Sequence, residues 1–222
     1  MRLTEFPHRR VTLFAGHYGS GKTNLAVNYA LALRESGESV TVADMDIVNP
    51  YFRTKDSAEV LDAAGIRLIS PAFANSNVDL PALPAALYLP IVERDTLAVL
   101  DIGGDDRGAY ALGRYAPDIL AEGDFEMIFV VNFCRPLTKT AEDALGVMRE
   151  IEAAGGISFT AIVNNSNLGA ETTPETVRAT RERAEVLSRL SGLPLLFTSA
   201  EARIADAVSE PLFALTLQKK YF

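Results

Sequence analysis

Residues Gly16 to Thr23 read Gly-His-Tyr-Gly-Ser-Gly-Lys-Thr and match the spacing G-x-x-x-x-G-K-[ST] at every fixed position. That spacing serves anion binding. Glycines let successive backbone N–H groups turn inward around phosphate oxygens. The first turn of a following helix adds positive potential at the same point. In such an arrangement Gly16, His17, Tyr18, Gly19, Ser20 and Gly21 form the cradle, Lys22 reaches the β- and γ-phosphates, and the Thr23 hydroxyl ligates Mg2+. Asn24 carries the segment on into the helix. The expected ligand is a nucleoside triphosphate with Mg2+.

A second acidic element is needed to hold the metal, directly or through water. Asp101 follows the apolar run Thr96-Leu97-Ala98-Val99-Leu100 and is the best placed. Gly103 and Gly104 come just after it, and a glycine there can bring its N–H to a γ-phosphate and move when that phosphate leaves. Asp44, Asp46, Asn132, Asn164 and Ser199 also lie at or just past the ends of apolar runs. Such residues are common turn formers. Together with the glycine-rich loop, the set points to one ligand crevice at the strand ends.

The elements that must position these groups are visible as short apolar runs at 11–15, 40–43, 67–69, 96–100, 127–131, 159–163 and 193–197. They are continuous rather than alternating, as strands covered on both faces require. A helix is expected over 23–35, closed by Gly37, and another over 138–153. A third starts at Thr173-Pro174-Glu175 and runs to about 190, with Gly192 ending it. Strands alternating with helices predict an α/β fold, a mostly parallel central sheet flanked by helices on both faces. No repeat or linker interrupts the chain, so a single domain over 1–222 is expected. The proline- and alanine-rich stretch 71–90 is the least regular part.

Composition narrows the function. Net charge is −8, the wrong sign for a surface that coats nucleic acid. The one cysteine, Cys134, excludes an internal disulfide or a Cys-built cluster within one chain and fits a reducing cytoplasm. No uncharged apolar stretch is long enough to cross a membrane. The last residues, 217–222, are too short and too weakly basic for an amphipathic membrane helix, so membrane attachment is not expected.

Three segments together, 16–23, 40–53 and 97–104, resemble the MinD/ParA-type (CobQ/CobB/MinD/ParA) P-loop nucleotide-binding proteins. The wider group includes nitrogenase iron protein, signal-recognition GTPases and dethiobiotin synthetase. The resemblance implies a P-loop NTPase fold over most of the chain, with ATP and Mg2+ as ligands. It implies that Asp46 orients the attacking water and that Asp44 sits near Mg2+. Asn49 to Arg53 would continue the same switch. Asn164, or Asn165 by one position of slippage, would read the adenine edge, and Ser199 would pack against the base. The GTP-selective N-K-x-D pattern is replaced by Asn164-Asn165-Ser166-Asn167, which favours ATP. The sequence departs from the group at the second loop position, where an extra lysine that reaches across a dimer is replaced by His17.

The function so read is an Mg-dependent ATP-binding protein, an ATP hydrolase or nucleotide-dependent switch acting on an unidentified protein partner, with a homodimer as one assembly. The alternative is an ATP-dependent small-molecule ligase or kinase of the dethiobiotin synthetase type, with its acceptor held by 71–90.

Overall fold

Runs rich in valine, leucine, isoleucine and phenylalanine form strands here because both faces of the sheet are covered, so neither face calls for polar residues. The computed structural model describes residues 8–46, 57–70, 85–104, 106–208 and 212–217. Eight strands form one sheet: β1 (Val11–Ala15), β2 (Val40–Met45), β3 (Arg67–Ile69), β4 (Leu97–Ile102), β5 (Phe125–Val131), β6 (Ala161–Asn164), β7 (Leu195–Glu201) and β8 (Leu212–Leu215). Their order is β3-β2-β4-β1-β5-β6-β7-β8, and every pairing is parallel. The expected α/β architecture is the observed one.

The helices are α1 (Lys22–Glu35), α2 (Ala58–Ala63), α3 (Leu89–Val92), α4 (Asp106–Gly113), α5 (Ala116–Glu122), α6 (Ala141–Gly155), α7 (Pro174–Arg178), α8 (Arg181–Ser191) and α9 (Ala202–Ala205). Leu25, Tyr29 and Leu33 of α1 and Leu61 of α2 pack on one sheet face, against Phe14, Val42, Val99, Ile128 and Val130. Leu112 of α4, Ile119 of α5, Met148 of α6 and Leu187 of α8 cover the other, against Leu13, Ala43, Leu100 and Phe129. Truncating any of these leucines to alanine would cost about 2–5 kcal/mol.

β1 is central. The chain leaves it toward β2 and β3, returns as β4 beside β1, and then continues as β5 on the opposite side. The strand order therefore reverses around β1, and a crevice opens at the carboxyl ends of β4, β1 and β5. Gly16 to Gly21 leave β1 at that point.

Several elements differ from the sequence reading. The helix expected from 138 starts at Ala141, because Thr140 is its cap: its hydroxyl accepts from Asp143 N and the Asp143 carboxylate accepts from Thr140 N. Thr138 instead donates to the Asn132 carbonyl at 2.6 Å. The helix expected over 173–190 is two helices. Thr180, at the break, donates its hydroxyl to the Val177 carbonyl at 2.8 Å and accepts from Asn164 at 3.1 Å, so a strand-end residue is tied to the break. The strand β8 has no counterpart in the sequence reading. Residues 49–53 and most of 71–90 (71–84) lie outside the described residues, so the readings placed on them are not reached.

Candidate functional site

The loop between β1 and α1 is shaped by its glycines. Gly21 has φ +82° and caps α1, a conformation that favours glycine. A Cβ there would also sit 2.4 Å from Nδ2 of Asn165. α1 begins with no side-chain cap and no acid in its first turn, so its leading N–H groups are left for an anion. Lys22, Thr23 and Ser20 are buried, and the Ser20 hydroxyl has no hydrogen-bond partner among the described residues. Asn24 lies in the first turn, where its carbonyl accepts from Asn28 at 2.8 Å.

On the β4 side the loop meets the segment after Asp101. Tyr18 N donates to the Gly104 carbonyl at 3.1 Å. A Cβ on Gly104 would lie 2.6 Å from Nζ of Lys22, 2.9 Å from Tyr18 N and 3.1 Å from the Gly16 carbonyl. Gly104 is thus in contact with the loop's beginning and with its lysine, and only hydrogen fits. Lys22 makes no ion pair with any described carboxylate.

The acids arrive by register. Asp44 of β2 pairs with Asp101 of β4, which pairs with Phe14 of β1. Paired residues of parallel strands share a face, so both carboxylates continue the Val42 and Val99 stripe beneath α1. Both are buried, as is Asp46. Asp46 N donates to Oδ1 of Asp44 at 3.0 Å, and a Cβ on Gly103 would lie 3.4 Å from Oδ1 of Asp46. Asp44, Asp46, Asp101 and Gly104 are therefore brought to one edge of the loop.

On the β5–β7 side, amides grip the loop. Asn165 donates Nδ2 to the Ser20 carbonyl at 2.7 Å and accepts the Ser199 hydroxyl at 2.8 Å. Asn164 is directed elsewhere: its amide donates to Thr180 and its oxygen accepts from the Ser166 hydroxyl at 2.6 Å. Two further residues touch the loop: Asn132, a strand-end residue to which the sequence reading gives no role, and Arg135, which it does not expect. Asn132 donates to the Gly19 carbonyl at 3.4 Å and to Asn167 O at 3.1 Å. Arg135 donates Nε to the same Gly19 carbonyl at 3.0 Å. The strand-end position of Asn132 is a signal the sequence carries. Arg135 has none, since nothing in its neighbourhood forms a motif. His17 keeps its ring at the loop, with Nδ1 3.0 Å from the Tyr18 carbonyl.

The donor set suits a nucleotide with a hard divalent cation. Thr23, Asp44 and Asp101 offer only oxygen ligands, the kind Mg2+ takes. The loop at Gly21 and Gly104 has no space for a side chain, and the buried Ser20 hydroxyl is without a hydrogen-bond partner among the described residues. Among the described residues, no group of three or more His, Cys, Asp or Glu forms a separate metal centre. Cys134 lies beside the site, and burial pushes its thiol up while Arg183 and Arg135 pull it down, so it favours the thiol over the thiolate.

No protein-family model matches the chain, and no curated protein does. Solved structures do. The cell division protein FtsY of Thermotoga maritima superposes with a TM-score of 0.58 at 16% identity, over 87% of this chain and 62% of that one. The signal recognition particle 54 kDa protein of Aeropyrum pernix, in complex with GDP, gives 0.56 at 14%, over 85% and 40%. The signal recognition particle receptor FtsY of Elizabethkingia anophelis, also with GDP, gives 0.53 at 14%, over 87% and 57%. The chain spans 40% to 62% of the length of these three structures. At these identities the likeness is one of fold alone, a parallel α/β sheet covered by helices on both faces.

Proposed function

We propose that this protein binds ATP with Mg2+ at the 16–23 loop, hydrolyses it, and passes the state of the γ-phosphate to a protein partner. The observation that carries this reading is the junction at Gly104, where the loop lysine, the loop backbone and the segment after Asp101 are in contact. A group that binds phosphate and a group that can respond to its loss share one point.

In this reading the loop N–H groups and the α1 N-terminus cradle the phosphates, and Lys22 neutralises the β- and γ-oxygens. Thr23, Asp44 and Asp101 hold Mg2+, which supplies charge neutralisation at the same oxygens. Asp46 orients the attacking water, supported by its position against Gly103 and the Asp44 carboxylate. The Gly104 N–H reads the γ-phosphate. Asn165 and Ser199 line the base side through their grip on Ser20, and Asn164 braces that wall from within. The departure from N-K-x-D supports adenine, while two of the solved neighbours carry GDP.

The MinD/ParA-type assignment belongs to this proposal. It is supported by Asp44-Met45-Asp46 after β2 and Asp101-Ile102-Gly103-Gly104 at the end of β4. Tyr18, 52% exposed on the loop itself, supports a protein partner. No helix among the described residues is long and apolar enough to cross a membrane, and a cytoplasmic location is part of the same reading. The test is nucleotide binding and phosphate release with ATP and with GTP, on the wild type and on Lys22→Ala. Binding abolished by Lys22→Ala and turnover with ATP exceeding that with GTP are expected. A wild type that binds neither nucleotide sinks the proposal. Binding without phosphate release, alone or with a partner, removes the hydrolase half of it.

A further inference from the structure

Arg135 sits outside every motif of the sequence, yet the tertiary structure sets it on the phosphate loop. It lies past the end of β5, in a turn closed by its own N–H donating to the Asn132 carbonyl at 3.1 Å. Its Nε donates to the Gly19 carbonyl at 3.0 Å. A Cβ on Gly19 would lie 3.2 Å from Nε and 3.4 Å from Cζ, so the guanidinium is in contact with the loop backbone. The terminal guanidinium nitrogens form no hydrogen bond or ion pair among the described residues, and the side chain is exposed.

Anchoring the carbonyl does not by itself call for a cation. Asn132 already donates to Gly19 O at 3.4 Å, and a neutral donor suffices there. The charge is the unexplained part. In a protein of net charge −8, an arginine without a carboxylate partner among the described residues stands at the rim of a loop read as built for anions. The Nε bond fixes the orientation of the fork, leaving its other N–H groups presented in a set direction. Such a fork matches phosphate oxygens. Lys22 is buried and reaches the site from within, whereas Arg135 is exposed and reaches it from the rim.

We infer that Arg135 is a second phosphate-binding cation of the loop, supplied by the same chain, for the polyphosphate of a nucleoside di- or triphosphate. The inference rests on the nucleotide-binding reading above. It adds that a single chain neutralises the bound polyphosphate from two sides.

The test is calorimetric titration of ATP and ADP into the wild type, Arg135→Gln, Arg135→Lys and Lys22→Ala, across about 50–500 mM salt. Arg135→Gln is expected to weaken ATP binding about 10- to 100-fold at low salt and ADP binding less. It should also flatten the dependence of affinity on salt, because one ionic contact is gone. Arg135→Lys should recover part of the affinity and the wild-type salt slope. Arg149→Gln, a surface-charge control on α6 where the arginine pairs with Glu152, should bind as the wild type does. Two results overturn the inference. One is Arg135→Gln binding ATP within twofold of the wild type. The other is equal weakening in Arg135→Gln and Arg135→Lys with an unchanged salt slope, which marks a carbonyl anchor alone. If the wild type binds and Lys22→Ala does not, either result removes only Arg135. If the wild type binds neither nucleotide, the nucleotide reading and this inference fall together.

Discussion

The two flanks of the phosphate loop are built from different materials. On the β5–β7 flank, side chains grip loop carbonyls: Asn132 and Arg135 at Gly19, and Asn165 at Ser20 with Ser199 behind it. On the β4 flank, one backbone bond from Tyr18 to Gly104 joins two chain segments, and close glycine contacts replace side-chain bonds. A flank held by several buried amides resists displacement, since leaving any of those groups unpaired costs about 1–3 kcal/mol. In the nucleotide-binding reading proposed above, the amide-held flank keeps the nucleotide, and the glycine-packed β4 flank is the one proposed to respond to the last phosphate.

The comparison can be broken most directly at Lys22, which bridges the flanks from inside. Lys22→Ala should lower ATP affinity by about 1000-fold or more, and the nucleotide-induced rise in melting temperature should vanish with it. The responsive flank is probed by Gly104→Ala. The added methyl would meet Tyr18 N at 2.9 Å and the lysine amine at 2.6 Å. Phosphate release should fall about 100-fold, with ADP affinity changed far less, as separate turnover and binding assays would show. Equal losses in both would mean that the β4 flank is as rigid as the other. The clamped flank is probed by Asn165→Ala, which strands the Ser20 carbonyl and leaves the Ser199 hydroxyl only its 3.4 Å bond to the Asn164 carbonyl. Unfolding free energy in urea should drop by about 2 kcal/mol, with ATP and ADP weakened alike.

The smallest effect is expected at the far end of the same sheet. There Glu126 accepts from Thr12 at 3.2 Å and from the Tyr29 hydroxyl at 3.4 Å, beneath α1. Burial pushes the Glu126 carboxyl above its ordinary 4.5 and the Tyr29 phenol well above its own usual range. The folded protein therefore keeps the Glu126 proton at pH values where the unfolded chain has released it. The stability this contributes is complete below the ordinary carboxylate value and is lost as pH rises through the raised one. Glu126→Gln removes that loss. Relative to the wild type, its unfolding free energy should rise as pH increases above the ordinary carboxylate value, with nucleotide affinity unchanged. A change in affinity would show that the two ends of the strands are coupled.

The strand-end placement of the candidate site was readable in the sequence. The loop spacing, Asp101 and the acids after the second strand all lie at the ends of β1, β4 and β2, where apolar runs predicted the strands. Helix boundaries were read less well. Thr138 has a capping residue's chemistry, but its hydroxyl was taken by Asn132, and Thr140 with Asp143 made the better cap. Thr180 looked like an ordinary helical residue until its bonds to Val177 and Asn164 marked a break. Base-side residues were the hardest to order. Asn164 and Asn165 are neighbours of the same type, and only the direction of each side chain separates the one that braces Thr180 from the one that grips the loop.

By itself the sequence determined the parallel α/β framework and the phosphate loop, because hydrophobic period, glycine placement and motif spacing are local properties of the chain. Only the tertiary structure decided which partners the loop has. Register placed Asp44 beside Asp101, close packing set Gly104 against Lys22, and two distant turns delivered Asn132, Arg135 and Asn165 to the carbonyls of Gly19 and Ser20. Those contacts join residues distant in the sequence, up to 145 positions apart for Asn165 and Ser20, and no local rule records them.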